Sequence, residues 1–510
     1  MTIRATTRTT PDTTPDTTPG TTPGMAMTRR QALRLLGLGA ALSLPGCSAL
    51  AGTPLPQLLA SKAPLPAPYA VPLPLPAVAE PYRTDAGTDY YELVQRPAEV
   101  EILPGLRTPI RGYDGRFPGP TIRARSGRRT VVRVTNRLDA PTVTHLHGGH
   151  TPPESDGYPT DLVQPGTHRD HVYPLEQRAA TLWYHDHRMD HTGPQVWRGL
   201  AGFFLVGDDE EEALPLPSGE RDVPLLICDR SFNADGTMPY PSRHDGPGAR
   251  EAFMGGVLGD VILVNGAPWP WLGVDRARYR LRLLNASNAR TYELALSPGG
   301  VLTQIGSDGG LLAAPRPLRQ VRLAPGERAD VIVDFAAYRV GDRVELRNLL
   351  GEGPQARVLR FTVERDARDD SAIPATLSRV ERLDPAKAEV TRDFEFTSGS
   401  LHGHTGWLIN GRPFDAARVD ARPKLGQVEV WRLTSDVAHP VHLHLAPFQV
   451  LSAGGERPGG PPEWKDTVEL REAQTVEIIT RFTGYRGRYV LHCHNLEHED
   501  MAMMSTFEVI

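Results

Sequence analysis

Residues 490–504 read VLHCHNLEHEDMAMM. Cys493 lies between His492 and His494, His498 follows four residues after His494, and Met503 comes five later. Three more clusters stand upstream: His145-x-His147, His185-x-His187 and His439-x-x-His442-x-His444. Ten of the 17 histidines fall in these four clusters. On a β-strand, residues i and i+2 project from one face and i+1 from the other. Each His-x-His therefore aims two imidazoles at one place, and four such pairs supply eight. Copper, zinc and iron all accept imidazole, so the pairs alone do not name the metal.

The cysteine narrows the choice. On a strand its thiolate points away from His492 and His494, towards a separate site. His498 can join it from downstream, His439 from the preceding cluster, and Met503 is available as a weak axial ligand. Two histidines, one cysteine and a long-bonded methionine are the ligand set of a blue-copper electron-transfer centre. The peptide chain then joins Cys493 directly to two ligands of the second cluster. A one-electron acceptor is covalently wired to a multi-metal site. Structural zinc is a poor alternative, because it favours four-ligand sites and gives no reason for a cysteine between two outward histidines.

These side chains need strands to aim them. Segments 129–136, 278–287, 328–335, 427–434 and 475–482 alternate apolar and polar residues between Gly, Pro, Asn or Asp. No long helical pattern competes, and Gly 49 and Pro 48 favour turns and short strands. The sequence predicts an all-β chain of stacked sandwiches or barrels. It also repeats itself: strand, VTHLHGG and LWYHDH near residue 130 match strand, HPVHLHL and YVLHCH near residue 430. The expected organisation is a low-complexity start and leader (1–51), a Pro-rich linker (52–85), and β-domains over 86–208, 209–372 and 373–510. The middle domain has no His-x-His.

Taken together, HLHGG, LWYHDH, ILVNG, LNAS, QIGSDGG, HPVHLH and HCHNLEHED resemble the three-domain multicopper oxidases over roughly residues 85–510, in particular the spore-coat laccase and bilirubin-oxidase branch. The resemblance implies three consecutive cupredoxin-like Greek-key β-barrels and four copper ions. Type 1 copper would take His439, Cys493 and His498, with Met503 axial. The loop length after His498 favours Met503 over Met501 and Met504. Type 2 would take His145 and His442, and the type 3 pair His147, His185, His187, His444, His492 and His494. The implied reaction removes single electrons from a donor at type 1 and reduces dioxygen to water at the trinuclear cluster. Asp156 and Glu499 match family carboxylates. They are expected either to relay protons or simply to hydrogen-bond the ligands. Expected donors are phenols, aromatic amines or similar molecules. Bilirubin, cuprous or manganous ions are alternatives, and a copper-free scaffold is disfavoured by the intact ligand set.

The remaining features bound the setting. A net charge of −5 leaves no footprint for nucleic acid. Arg29-Arg30 followed by the apolar run 35–44 reads as a twin-arginine signal, a route that carries folded proteins. The expected location is periplasmic, cell-surface or secreted. Leu44-Pro-Gly-Cys47 resembles a lipoprotein box, so Cys47 is a candidate lipid anchor, and cleavage after Ala51 is the alternative. A monomer is expected. Cys228 is read as a buried strand thiol, although pairing with Cys493 is the plainer reading for an exported chain. Trp183 and Tyr184 are read as core. His150, His168, His171, His191 and His244 are read as surface or structural, and His402-x-His404 as a metal-like pair without a counterpart.

Overall fold

The alternating segments form strands Arg129–Asn136, Arg278–Asn285, Arg328–Asp334, Val428–Ser435 and Thr475–Arg481. They belong to a computed structural model that describes residues 54–244, 248–401 and 404–510. The leader, Cys47 and His402 lie outside the described residues, as does the side chain of His404. Among those described, the longest α-helix is Thr192–Trp197, and no helix is long and apolar enough to cross a membrane.

Each third of the chain builds two sheets. In the first, Thr88–Val100, Arg129–Asn136 and His168–Tyr173 form one sheet. The other contains Gly119–Arg125, Ala201–Gly207, Ala180–Asp186 and Thr144–His147. The middle third has a seven-stranded and a five-stranded sheet. The last third sets a five-stranded sheet against a four-stranded one of Thr467–Leu470, His439–Leu443, Gly487–Cys493 and Met504–Val509. Alternation fills the space between sheets: Trp431, Leu433, Ile478 and Phe507 are buried in the last third. Burying each such side chain contributes roughly 1.5–3 kcal/mol.

The Pro-rich stretch expected as a linker is instead a docked strap. Gln57–Leu59 pairs in parallel with Val257–Gly259 of the middle third. Farther on, Tyr69 N–H donates to Trp269 (2.7 Å), Leu73 N–H to Trp271 (2.7 Å), and Ala79 N–H to Thr121 (2.8 Å). In Val-Pro-Leu-Pro-Leu-Pro the prolines lack an N–H, so an extended chain bonds its neighbour through the residues between them.

An ionic cluster of the middle third reaches the first where the Thr181 hydroxyl donates to Asp330 at 2.7 Å. Glu211, in the helix Asp209–Glu212, accepts from Arg280 (2.9 Å) and Arg282 (3.1 Å). Arg282 also donates to Asp222 at 2.7 Å and lies 3.4 Å from Asp330. Burial alone would raise the Glu211 pKa, but attraction and hydrogen bonds from the two arginines override it and lower it from 4.5 to about 2. A depressed folded-state pKa stabilises the fold above the unfolded value, and the contribution is lost as pH falls towards the folded one. Wild-type stability should therefore decline between about pH 4.5 and about pH 2 in part through this carboxylate. In Glu211→Gln, denaturant titrations across that window should show a lower plateau near neutrality and a shallower acid decline.

Candidate metal centre

Two pairs of short strands carry the histidines in matching places. Thr144–His147 runs antiparallel to Ala180–Asp186 and sets His145 opposite His185. His439–Leu443 runs antiparallel to Gly487–Cys493 and sets His442 opposite His492. Eight buried imidazoles from the first and last thirds meet between these pairs. Ring stacking crosses the boundary twice, His145 on His444 (3.9 Å) and His147 on His442 (3.6 Å).

The ring nitrogens partition into groups. His147, His185 and His494 form one triad, and His187, His444 and His492 another. His145 and His442 face each other with Nε2 atoms 3.4 Å apart. Burial, reinforced by neighbouring imidazoles, holds His145, His147, His185, His444 and His494 well below the ordinary histidine value. For the same reason His187 falls to about 4 and His492 to about 3. All of these are therefore neutral at pH 7, the form that binds a metal.

Outer hydrogen bonds set the tautomers. Nδ1–H donates to a backbone carbonyl from His145 (Asp156, 2.6 Å), His442 (Asp466, 2.8 Å), His185 (Asp186, 2.8 Å) and His492 (Cys493, 3.1 Å). His444 Nδ1–H donates to the Asp156 carboxylate at 2.8 Å. Each bond turns Nε2 inward, the usual support for a metal-bound histidine. Inside, Nε2 of His185 and His444, Nδ1 of His147 and both nitrogens of His494 have no protein partner. Each such atom costs about 1–3 kcal/mol if left unbonded. Metal ions satisfy them, and the donor set suits copper.

Strand alternation sends Cys493 the other way. Its Sγ is 3.5 Å from His439 Nδ1 and 3.6 Å from His498 Nδ1, and those nitrogens are 3.0 Å apart. Burial raises the thiol pKa well above its ordinary value, so a bound cation is what makes a thiolate stable there. Asp436 holds the outer nitrogen of His439 at 3.2 Å. Met503 is fully buried, and its carbonyl accepts from Cys493 N–H at 3.1 Å. Met504 instead pairs with His492, and the Met501 side chain lies against Gly248. Cys228 and Cys493 are both buried and unpaired, so the disulfide reading fails.

The carboxylates touch the ligands. Asp156 bonds His145 and His444 as described, and its Oδ1 has no partner. Glu499 accepts from the Thr192 hydroxyl at 2.6 Å and lies 3.3 Å from both His187 Nδ1 and His492 Nδ1. Burial raises the pKa of both carboxyls. A cavity of about 300 Å³ reaches His145, His442 and His444.

Several contacts escaped the sequence. Trp183 is core, as expected, but its ring also stacks on His185 at 4.2 Å. Trp407 stacks on His498 at 3.7 Å. The middle third, without a histidine pair, supplies Arg328. Its guanidinium donates to both oxygens of Asp466 (2.7 and 2.6 Å), and Asp466 contacts His147 at 3.1 Å. No local pattern separates these from ordinary core aromatics or a strand arginine.

Sequence profiles of the multicopper oxidase family match residues 95–211 and 381–510, the stretches that carry the clusters. A laccase of Bacillus stratosphericus is 37% identical over 501 residues, covering 86% of this chain and 98% of its own. The chain belongs to the multicopper oxidases. A bilirubin oxidase of Albifimbria verrucaria is 36% identical, covering 86% of this multicopper oxidase and 81% of its own length. The crystal structure of a laccase from Pediococcus acidilactici superposes with a TM-score of 0.79 at 32% identity, covering 89% of this chain and 96% of its own. The sandwiches are therefore cupredoxin-like β-domains, and the protein is a laccase-like copper oxidoreductase that uses dioxygen and binds four copper ions.

Gly326 gives a direct check on this packing. It sits at φ +87°, and an added Cβ would lie 3.0 Å from His494 and 3.1 Å from His147. Gly326→Ala should lower bound copper per chain while the copper–thiolate absorption of the Cys493 site remains. Metal analysis beside visible absorption reads both.

Proposed function

We propose that His439, Cys493 and His498, with Met503 axial, hold the type 1 copper of this laccase-like oxidase. In the same proposal His145 and His442 hold type 2, and the triads His147/His185/His494 and His187/His444/His492 hold the type 3 pair. The observation that carries it is the split of three consecutive residues, with Cys493 facing His439 and His498 while His492 and His494 face the eight-imidazole cluster. Bound copper supplies one-electron storage at the first site and four-electron reduction of dioxygen to water at the second.

The chain's own residues do the rest. Cys493 and its two neighbours give the electron a covalent path between sites. Asp156 orients His145 and His444. The unpartnered Oδ1 of Asp156 and Oε2 of Glu499 are the atoms proposed to move protons. The cavity beside His145 and His444 gives small molecules a way to the cluster. Burial of the remaining surface keeps partly reduced oxygen away from solvent.

Phenols, aromatic amines and related one-electron donors fit this reading. The bilirubin-oxidase relative supports a tetrapyrrole as a second donor class. Cuprous-ion oxidation is less supported, because the chain has nine methionines, clustered only at 501–504. An axial methionine favours a lower-potential type 1 site. Export by the twin-arginine route, an anchor at Cys47 and action as a monomer belong to the same proposal, supported by Arg29-Arg30 and Leu44–Cys47.

Two variants test the assignment. Cys493→Ser should abolish the blue band and all oxidase turnover. His185→Ala should keep the blue band and stop oxygen uptake. A Cys493→Ser protein that still oxidises phenols would refute the electron path.

A further inference from the structure

The outer edge of His498 is covered by the protein itself. His498 is only 2% exposed. Its Nδ1 faces Cys493, which leaves Nε2 directed outward, 3.2 Å from the Asn495 amide nitrogen. There the Asn495 side chain bonds to the carbonyl of Gly255 at 3.1 Å, and that carbonyl faces the imidazole. The preceding carbonyl, of Met254, accepts from the Trp407 indole N–H at 3.1 Å, and Trp407 is the ring stacked on His498. The next residue but one, Val257, donates its N–H to buried Glu497 at 3.0 Å. Residues 254–257 thus cap the face where a donor would meet the imidazole.

The cap is held from outside by the strap. Gln57 N–H donates to the Gly256 carbonyl at 2.9 Å, and the strands pair through Gly259. Ser61 N–H donates to the Asp260 carboxylate at 2.8 Å, and its hydroxyl does the same. Gly255 has no room for a side chain, because a methyl group there would meet the backbone of Pro54 and Leu55. The strap therefore lies directly on the residue whose carbonyl faces His498 and holds Asn495 beside it. Leu55 is 67% exposed, so the contact is one layer thick and open to water on its far side.

We propose that residues 54–61 form a clasp that seats Met254–Gly256 over His498 and thereby sets donor specificity. With the clasp closed, the Gly255 carbonyl occupies the hydrogen-bonding position at the imidazole. Donors of the intact chain then pass electrons across the cap without bonding to His498. This favours compact outer-sphere donors over bulky phenols that need to dock on the ring. The proposal rests on the type 1 assignment above.

The test compares wild-type holoenzyme with Gly255→Ala and with a variant lacking residues 54–59. Oxygen uptake is measured with a dimethoxyphenol and with hexacyanoferrate(II), a compact outer-sphere donor. In both variants the KM for the phenol, relative to that for hexacyanoferrate(II), should fall by roughly fivefold, the value of one hydrogen bond gained. In the deletion variant, hexacyanoferrate(II) turnover at saturation should be unchanged. Hydrogen exchange on the copper-free proteins should quicken across 250–260 and 495–501. An unchanged KM ratio in both variants overturns the proposal, whatever the exchange data show. A wild-type holoenzyme without a blue band removes the type 1 assignment, and the clasp's function with it.

Discussion

Everything in this structure depends on the two-residue repeat of one short strand. In Gly487–Cys493, continued by His494, neighbouring side chains leave opposite faces. Cys493 therefore enters a different site from His492 and His494, although two peptide bonds connect all three. A slip of one residue in pairing with His439–Leu443 would send Cys493 into the imidazole cluster and both histidines away from it. The register is fixed by burial on both faces, with Val490 and Leu491 fully packed and Met504–Val509 paired along the other edge.

The site carries polar atoms that the protein alone does not satisfy. Neutral, buried imidazoles with unpartnered nitrogens are unfavourable without metal, so metal binding and local stability are linked. The rest of the fold holds the two half-sites in place against that cost. The middle third does this without contributing a histidine. Arg328 fixes Asp466 against His147, Gly326 lets the chain approach His147 and His494, and Asp330, held by Arg280, accepts from Thr181 of the first third. A domain that looks inert in sequence thus acts as the brace for a site made by its neighbours.

Much of this was legible beforehand, for physical reasons that can be named. His-x-His on a strand has one geometric meaning, and four such pairs in a diverged repeat place themselves together. Cys493 was legible because alternation forces it away from its neighbours. The strands at 129–136 and 475–482 were legible because their apolar period is two. What stayed hidden depends on tertiary contact. The Pro-rich stretch 54–85 has the composition of a linker, and only the edges offered by Val257–Gly259, Trp269, Trp271 and Thr121 turn it into a strap. Trp407 and Arg328 look like ordinary strand residues until the fold sets one on His498 and the other on Asp466. For Asp156, both suggested roles were chemically open. The structure shows the ligand hydrogen bonds directly and leaves one carboxylate oxygen available for a proton.

The most direct measurement is copper content together with sulfur-edge X-ray absorption on the same purified holoprotein. The account predicts four copper ions per chain and a covalent copper–thiolate signal that disappears in Cys493→Ser. Zinc in place of copper, or a full copper complement without any thiolate-bound ion, would contradict it.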